Sequence, residues 1–220
     1  GYRRAVGSAT VLAWHSALRR LRACARSSSR TWSETAETAA PSTGMAEVDD
    51  PAAHSGPFLS VPVALTAEHD VSAFDCGEPA LNDWLQHRAL KNEGRFSRTY
   101  VVCSGNRVVA YFCISAGAVE RESAPGKIRR NAPDVISVSV IGRLAVDRTQ
   151  AGKGLGADVL SDALRRIALA SRSIGIRAAM IHAKSDAARH FYLKCAEFIE
   201  YPQDSRTLFL PIETVVAALT

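Results

Sequence analysis

One stretch constrains the chain more than any other. Val135-Ile-Ser-Val-Ser-Val-Ile-Gly-Arg-Leu-Ala-Val-Asp147 is apolar and rich in β-branched residues, which predicts a buried strand. Arg148-Thr-Gln-Ala-Gly-Lys-Gly-Leu-Gly156 follows, with glycines at 152, 154 and 156. Val159, Leu160, Ala163, Leu164, Ile167, Ala168 and Leu169 then recur at helical spacing, predicting a helix to about Ser173. Strand, glycine loop and helix start make a geometry suited to phosphate. Glycine lets backbone N–H groups approach an anion, and the first helical turn adds unpaired N–H groups and the positive end of a dipole. Two common phosphate loops are excluded. Lys153 is followed by Gly154 rather than Ser or Thr, so this is not a Walker A loop, and the glycine spacing departs from G-x-G-x-x-G.

Charge separates the chain into two parts. The net charge is +5, yet residues 1–44 hold seven arginines against only Glu34 and Glu37, leaving twenty basic and twenty acidic residues for the rest. Any nucleic-acid contact of the globular part must therefore come from a local basic patch. Residues 1–56 are rich in Arg, Ser and Ala, with Pro/Gly/Ser tracts, and are expected to be a disordered leader with a frayed helix across Val11–Arg22. They read either as an organellar transit peptide or as upstream sequence before a native start near Met45. One domain is expected over residues 57–220, large enough for a sizeable core. No run of about 18 apolar residues occurs, so no membrane-spanning helix is expected. Cys24, Cys76, Cys103, Cys113 and Cys195 lack metal-ligand spacing, which argues against zinc and against a disulfide scaffold and fits a reducing cytosol.

In order, Leu59–Leu65 predicts a first strand and Thr66–Asp75 a polar connection. Residues 77–91 predict a helix with Pro79 in its first turn, Leu81, Trp84, Leu85, Ala89 and Leu90 on its buried face, and Gly94 as its cap. Thr99–Cys103 and Arg107–Val119 form a hairpin about Gly105-Asn106, and Arg121–Pro133 is expected to be a mobile basic loop. After the central strand and helix come a strand (Ile176–His182), a helix (Ala183–Lys194) and two short strands (Glu197–Tyr201 and Arg206–Leu210). The order β-α-β-β-β-α-β-α-β-β is a mixed α/β layer.

Arg143-Leu-Ala-Val-Asp-Arg-x-x-Ala-Gly-Lys-Gly-Leu-Gly156 closely resembles motif A of the GNAT acetyltransferases. Phe74-Asp-Cys-Gly-Glu-Pro-Ala-Leu-Asn-Asp-Trp-Leu85 and Thr207-Leu-Phe-Leu-Pro211 are similar to the opening and closing of one GNAT branch, the acetyltransferase toxins of toxin–antitoxin pairs. The likeness spans about Leu59 to Leu219. It implies an α/β GNAT fold: a mixed, mostly antiparallel central sheet with a splayed parallel pair and helices on both faces. It also implies acetyl-CoA as co-substrate, aminoacyl-tRNA as acceptor, a ribbon-helix-helix antitoxin, a homodimer, and a cytoplasmic setting.

The resemblance places the cofactor along the backbone of Leu144, Ala145 and Val146, and at Ala151, Gly152, Lys153, Gly154, Gly156 and Ala157. Ala151 stands where the family has Gln or Arg, so one side-chain contact is missing from the pattern. Lys153 meets a phosphate or is a solvated loop lysine, and Asp186 lies near the cofactor arm or serves as a helix cap. Acetyl transfer to an amine needs little covalent help, because a free α-amino group titrates at roughly 7.7–8 and is partly neutral at physiological pH. The departing thiolate benefits from a proton donor, and the family register gives that role to Tyr192; the plainer alternative is a half-buried core tyrosine. His190 and Cys195 are poorly spaced for one helix face, which disfavours a thiol nucleophile. Arg88, Lys91, Arg95 and Arg98 recur every three or four residues, and Arg129 and Arg130 add a second group, together with Lys127. They are the candidate grip on tRNA phosphates, unless they are ordinary solvated charge. Two other functions remain open: a GNAT acting on a small-molecule or peptide amine, and an acetyl-CoA-sensing module in a DNA-binding repressor complex.

Overall fold

The computed structural model describes residues 58–219, so the expectations for the leader at 1–56 lie outside the described residues. Among these residues one sheet holds β1 (Val63–Ala64), β2 (Arg98–Ser104), β3 (Arg107–Glu120), β4 (Val135–Val146), β5 (Ala178–His182), β6 (Ile199–Tyr201) and β7 (Asp204–Pro211). Their spatial order is β1-β2-β3-β4-β5-β7-β6. Only β4 and β5 run parallel, joined by a helical crossover; every other neighbouring pair is antiparallel. The helices are α1 (residues 79–92), α2 (Gly126–Arg129), α3 (Leu155–Ala170), α4 (Asp186–Cys195) and α5 (Ile212–Leu219).

Adjacent strand residues face opposite sides of a sheet, and the core divides accordingly. On one face α1 brings Trp84, Leu85 and Ala89 onto Val101, Cys103, Tyr111 and Ala145. Beyond it on that face, α2 sets Ile128 against Ile136, Val138 and Phe209. On the other face α3 packs Leu155, Leu160, Leu164 and Ile167 against Val102, Phe112, Ile141, Ile181 and Leu208, with Tyr192 and Cys195 of α4 beside them. Tyr111 centres the α1 side. Its ring stacks on Trp84 at 5.7 Å and meets Phe74 edge-on at 5.4 Å, and its hydroxyl donates to the Leu81 carbonyl at 2.9 Å.

The feature that positions the site is a break in register. β3 pairs Cys113 with Arg143 and Ile114 with Ile141, so Gly142 is an extra residue in β4, a β-bulge. The β4–β5 pairing spans Val138↔Ala178 to Ile141↔Ile181 and stops there. Past the bulge β4 continues with β3 alone and leaves a fork between itself and β5. A Cβ at Gly142 would stand 3.3 Å from the Cys113 sulfur, so a small residue suits the bend.

Several expectations change. The first strand is reduced to two residues, with Leu59 making a single bridge to Ser104. Helix α1 carries a π-helical segment, Trp84–Arg88, in which the Ala89 N–H reaches back to the Trp84 carbonyl. The wide turn shifts the phase of the helix, and Leu90, expected inside, is 48% exposed. The Glu93 C-cap precedes Gly94, whose φ of +74° lets the chain reverse there. The 121–133 segment is held rather than loose: Ile128 is fully buried, and Arg177 donates to the carbonyls of Ile128 and Lys127 at 3.2 and 3.1 Å. Helix α4 starts at Asp186, capped by the Ser185 hydroxyl accepting from the Ala188 N–H, and α5 is an addition to the expected elements. No helix among the described residues is long and apolar enough to cross a membrane.

Replacing Tyr111 with Ala is expected to cost about 3–5 kcal/mol of stability by leaving a cavity under α1. Phe at that position costs about 1 kcal/mol for the lost hydrogen bond. Urea unfolding of the two variants measures both, and equal small losses would contradict this packing.

Candidate active site

At the end of β4 the chain closes a tight turn before α3. The Asp147 N–H still bonds the Val109 carbonyl across to β3 at 2.8 Å. By the alternation of an antiparallel ladder, Ala145 also turns its groups to β3, while Leu144 and Val146 turn theirs into the fork. Of the three backbone positions expected to meet the pantetheine arm, two thus present N–H and C=O to the open edge. Ala145 instead buries its side chain under α1.

Arg148–Gln150 form a short 3₁₀ turn, and Gly152 (φ +72°) and Gly154 (φ +85°) adopt the left-handed conformation that favours glycine. Gly154 caps α3, and its carbonyl takes the N–H groups of Ala157 and Asp158. The N–H groups of Leu155 and Gly156, in the first turn, have no acceptor within the helix. Gly156 has an ordinary φ; a Cβ there would lie at van der Waals distance, 3.4 Å, from the Phe191 ring of α4. The Ala151 N–H is used by the Arg148 carbonyl at 3.2 Å, so Ala151 shapes the loop. Lys153 is exposed, and its ammonium folds back to donate to the Thr149 carbonyl at 2.7 Å.

The loop is clamped from below by the opening motif. Asp147 is 1% exposed, and its carboxylate takes bonds from the Thr149 N–H (2.9 Å), the Thr149 hydroxyl (2.7 Å), the Asp75 N–H (3.0 Å) and Arg107 (3.2 Å). Burial works to push this carboxyl up, but those hydrogen bonds and the Arg107 charge hold it below the usual value. Asp75 in turn accepts from the Gly77 N–H and the Asn82 amide, both at 2.8 Å, which lower its own pKa. Arg148 closes the circuit, with its N–H on the Asp75 carbonyl and its guanidinium 3.1 Å from the Asp75 carboxylate. Gly77 (φ +88°) leaves room for that guanidinium, since a Cβ there would meet Arg148 Nε at 3.0 Å. Sequence reasoning missed Asp75, Asn82, Arg107 and Asp147 as site residues. The signal for them was an acid ending an apolar strand and a second acid inside the opening motif.

Tyr192 lies on α4, 7% exposed, between Phe191 and Phe198 with ring centroids 5.2 and 6.1 Å away. Burial, with a smaller contribution from Cys195, pushes its hydroxyl up to about 12, so it keeps its proton. Cys195 is buried, and the His190 ring lies 2.7 Å from the Asp186 carbonyl. Asp186 is the first helical residue and pairs with Arg206 of β7 at 3.3 Å. The Lys184 ammonium pairs with Glu78, linking the exit of β5 to the start of α1.

The expected basic stripe is divided. Arg88 and Lys91 stand on α1, Arg95 is in the following turn, and Arg98 opens β2 and pairs with Glu93 at 3.2 Å. Arg129 and Arg130 line a cleft of about 820 Å³ at the far end of β4, together with Arg121 and acids Glu120, Glu122 and Asp134.

A mixed sheet of this order, forked between its one parallel pair and followed by a glycine loop and a helix start with unpaired N–H groups, is that of a GNAT acetyltransferase. No protein-family model matches the chain. It is 44% identical over 135 residues to the tRNA-acetylating toxin of Mycobacterium tuberculosis (strain ATCC 25618 / H37Rv), which covers 61% of this chain and 81% of that protein. The chain belongs to the family of the tRNA-acetylating toxins. Among solved structures it is similar to the toxin AtaT complexed with acetyl-methionyl-tRNAfMet, with TM-score 0.68, 29% identity, and coverage of 74% of this chain and 99% of that one. It is also similar to a Tyr-to-Phe mutant of AtaT bound to the C-terminus of the antitoxin AtaR and acetyl-CoA, with TM-score 0.64, 27% identity, and coverage of 74% and 98%.

Gly154→Ala should strain the left-handed cap by about 1–2 kcal/mol and weaken acetyl-CoA binding roughly 5- to 30-fold. Gly156→Ala, needing no special φ and only contact with Phe191, should bind within about twofold of the parent. Calorimetric titration of acetyl-CoA compares them, and equal effects would remove the conformational argument.

Proposed function

We propose that the protein transfers the acetyl group of acetyl-CoA to the α-amine of aminoacyl-tRNA and so blocks translation, as the toxin of a toxin–antitoxin pair. The observation that carries the reading is the fork past Gly142, with its open β4 edge running into the clamped glycine loop. Its residues fit acetyl-CoA. The outward groups of Leu144 and Val146 match an amide-bearing arm, and the first-turn N–H groups of α3 match a pyrophosphate. Gly152, Gly154, Gly156 and Ala157 form that cradle, with Ala151 shaping it. Lys153 reaches a phosphate by leaving the Thr149 carbonyl, whereas the Arg206 pairing of Asp186 supports a structural role. Relatives named for tRNA acetylation and solved with acetyl-methionyl-tRNA and acetyl-CoA support the substrate pair.

The co-substrate supplies a thioester: the neutral amine bonds to its acyl carbon, the C–S bond breaks, the departing sulfur takes a proton from the protein, and the proton lost by the amine nitrogen passes to solvent. The protein's part is to hold the arm straight and provide the proton. Tyr192 is the donor: its raised pKa keeps the O–H intact across the physiological range. Arg88, Lys91, Arg95, Arg98, Arg129 and Arg130 are proposed as phosphate contacts, with Arg98 weakened by Glu93. The acetyltransferase domain is taken as residues 57–220, acting in the cytoplasm. A ribbon-helix-helix antitoxin and a homodimer complete the reading.

Labelled acetyl-CoA, incubated with the protein and a pool of charged tRNAs, should mark aminoacyl-tRNA. Label on free amines alone would move the acceptor to a small molecule. Tyr192→Phe should retain acetyl-CoA affinity and lose about 10²-fold or more in turnover, the usual weight of a general acid. Rate should rise with pH as the substrate amine loses its proton, with a midpoint of roughly 8 for an ordinary α-amine. No basic limb should appear below about pH 10, because Tyr192 is still protonated there. A fall in rate between about pH 8 and 9 would assign the proton to another group.

A further inference from the structure

The turn between α1 and β2 carries a side chain that folding does not explain. Phe96 is 74% exposed, although the turn around it is well fixed. The Asn92 carbonyl accepts the N–H groups of Arg95, Phe96 and Ser97 at 3.1 to 3.3 Å, and the Gly94 N–H bonds the Ser97 carbonyl at 3.1 Å. Glu93 adds a bond from the Thr99 N–H at 2.7 Å. An aromatic ring is thus held out in water on a hydrogen-bonded platform rather than on a loose segment.

Its neighbours are cations. Lys91 and Arg95 are exposed, and neither has an ion pair among the described residues. Among the described residues the ion pairing of Arg88 is a long 3.9 Å approach to Asp83. The one acid in the turn, Glu93, is mostly covered and engaged with Arg98 and the Thr99 N–H. The local surface therefore offers one ring and unneutralised positive charge.

Register places this surface relative to the chemistry. Arg98, the first residue of β2, pairs with Ile114, and Ile114 pairs with Ile141, the last residue of β4 matched to β5. The Phe96 turn therefore lies beside the closed end of the fork, where β4 and β5 part. Two strand spacings separate them, roughly 10 Å at ~4.8 Å each.

We infer that Phe96 is a stacking platform for an unpaired base in the single-stranded 3′ end of the RNA, with Lys91 and Arg95 on the adjoining phosphates. Unstacked bases of single-stranded RNA settle on aromatic rings irrespective of sequence, and Lys and Arg track the backbone beside them. The inference rests on the aminoacyl-tRNA reading. The amine is carried on the terminal nucleotide, so the last unpaired bases must lie near the fork when the amine reaches it. It also supplies an aromatic contact where the sequence pattern showed only charge.

Three measurements on the full chain test it. In steady-state acetylation of charged tRNA, Phe96→Ala should raise KM about tenfold or more with kcat nearly unchanged, and Phe96→Tyr should restore it. Replacing Lys91 and Arg95 together by Ala should flatten the dependence of log binding on log salt by about 1.4. In direct binding, the parent should prefer uncharged tRNA with its single-stranded tail over tRNA trimmed of it by about tenfold, and Phe96→Ala should abolish that preference. An unchanged KM with an unchanged preference overturns the assignment. So does a Phe96→Ala defect confined to antitoxin affinity or to dimer formation, which would give the ring to a protein partner. Failure of the parent to label any charged tRNA would instead reject the acceptor reading. The tail preference still decides on Phe96 in that case.

Discussion

Between Ile141 and Arg143 strand β4 loses one neighbour and keeps the other, and most of the site follows from that. A parallel pair holds register only while both strands keep their pleat. An extra residue in one strand tilts it and ends the pairing. Gly142 supplies the residue, β3 follows the bend by shifting its own register, and β5 does not. The result is a length of strand, residues 143–146, with one edge satisfied and the other facing a gap. The glycine loop and the first turn of α3 extend the gap to the surface, and α4 borders it through Phe191 against Gly156.

The loop holds its shape because two segments far apart in sequence share one carboxylate network. Asp147 is almost wholly covered yet charged, which is tolerable only with every lone pair engaged. Its partners come from its own turn, from β3 and from residue 75 at the entrance to α1. Asp75 repeats the pattern at the other end, and Arg148 ties the two together. The opening motif therefore fixes the height of the loop above the sheet. That gives a physical reason for an acid, a glycine and an asparagine to stand at 75, 77 and 82 in a chain whose glycine loop lies some seventy residues later.

The strands and the two long helices were legible because their apolar periods are local. The glycine loop was legible because positive φ and close approach write themselves as glycine. The fork was visible only through family likeness: nothing in Val-Ile-Gly-Arg-Leu announces a bulge, which depends on how β3 and β5 compete for the same strand. The π-helical segment of α1 was invisible for a related reason. Residues 84–88 have ordinary helical composition, and tertiary packing sets the wider turn that puts Leu90 outside. The pairing of Glu93 with Arg98 was not legible, since the two side chains meet only once the chain has turned at Gly94. Tyr192 stood out only through register, because a phenol between two phenylalanines looks like core.

An exposed strand edge is ordinarily a hazard, a template on which another sheet can grow. Here the edge lies inside the sheet, with β5 and α4 rising on its far side and Lys184 reaching to Glu78 near its exit. A second strand could pair there only by entering between β4 and β5, which part from Gly142 onward. The fork thus leaves hydrogen-bonding backbone open in the middle of the sheet, away from the outer edges, β1 and β6, where sheets ordinarily grow.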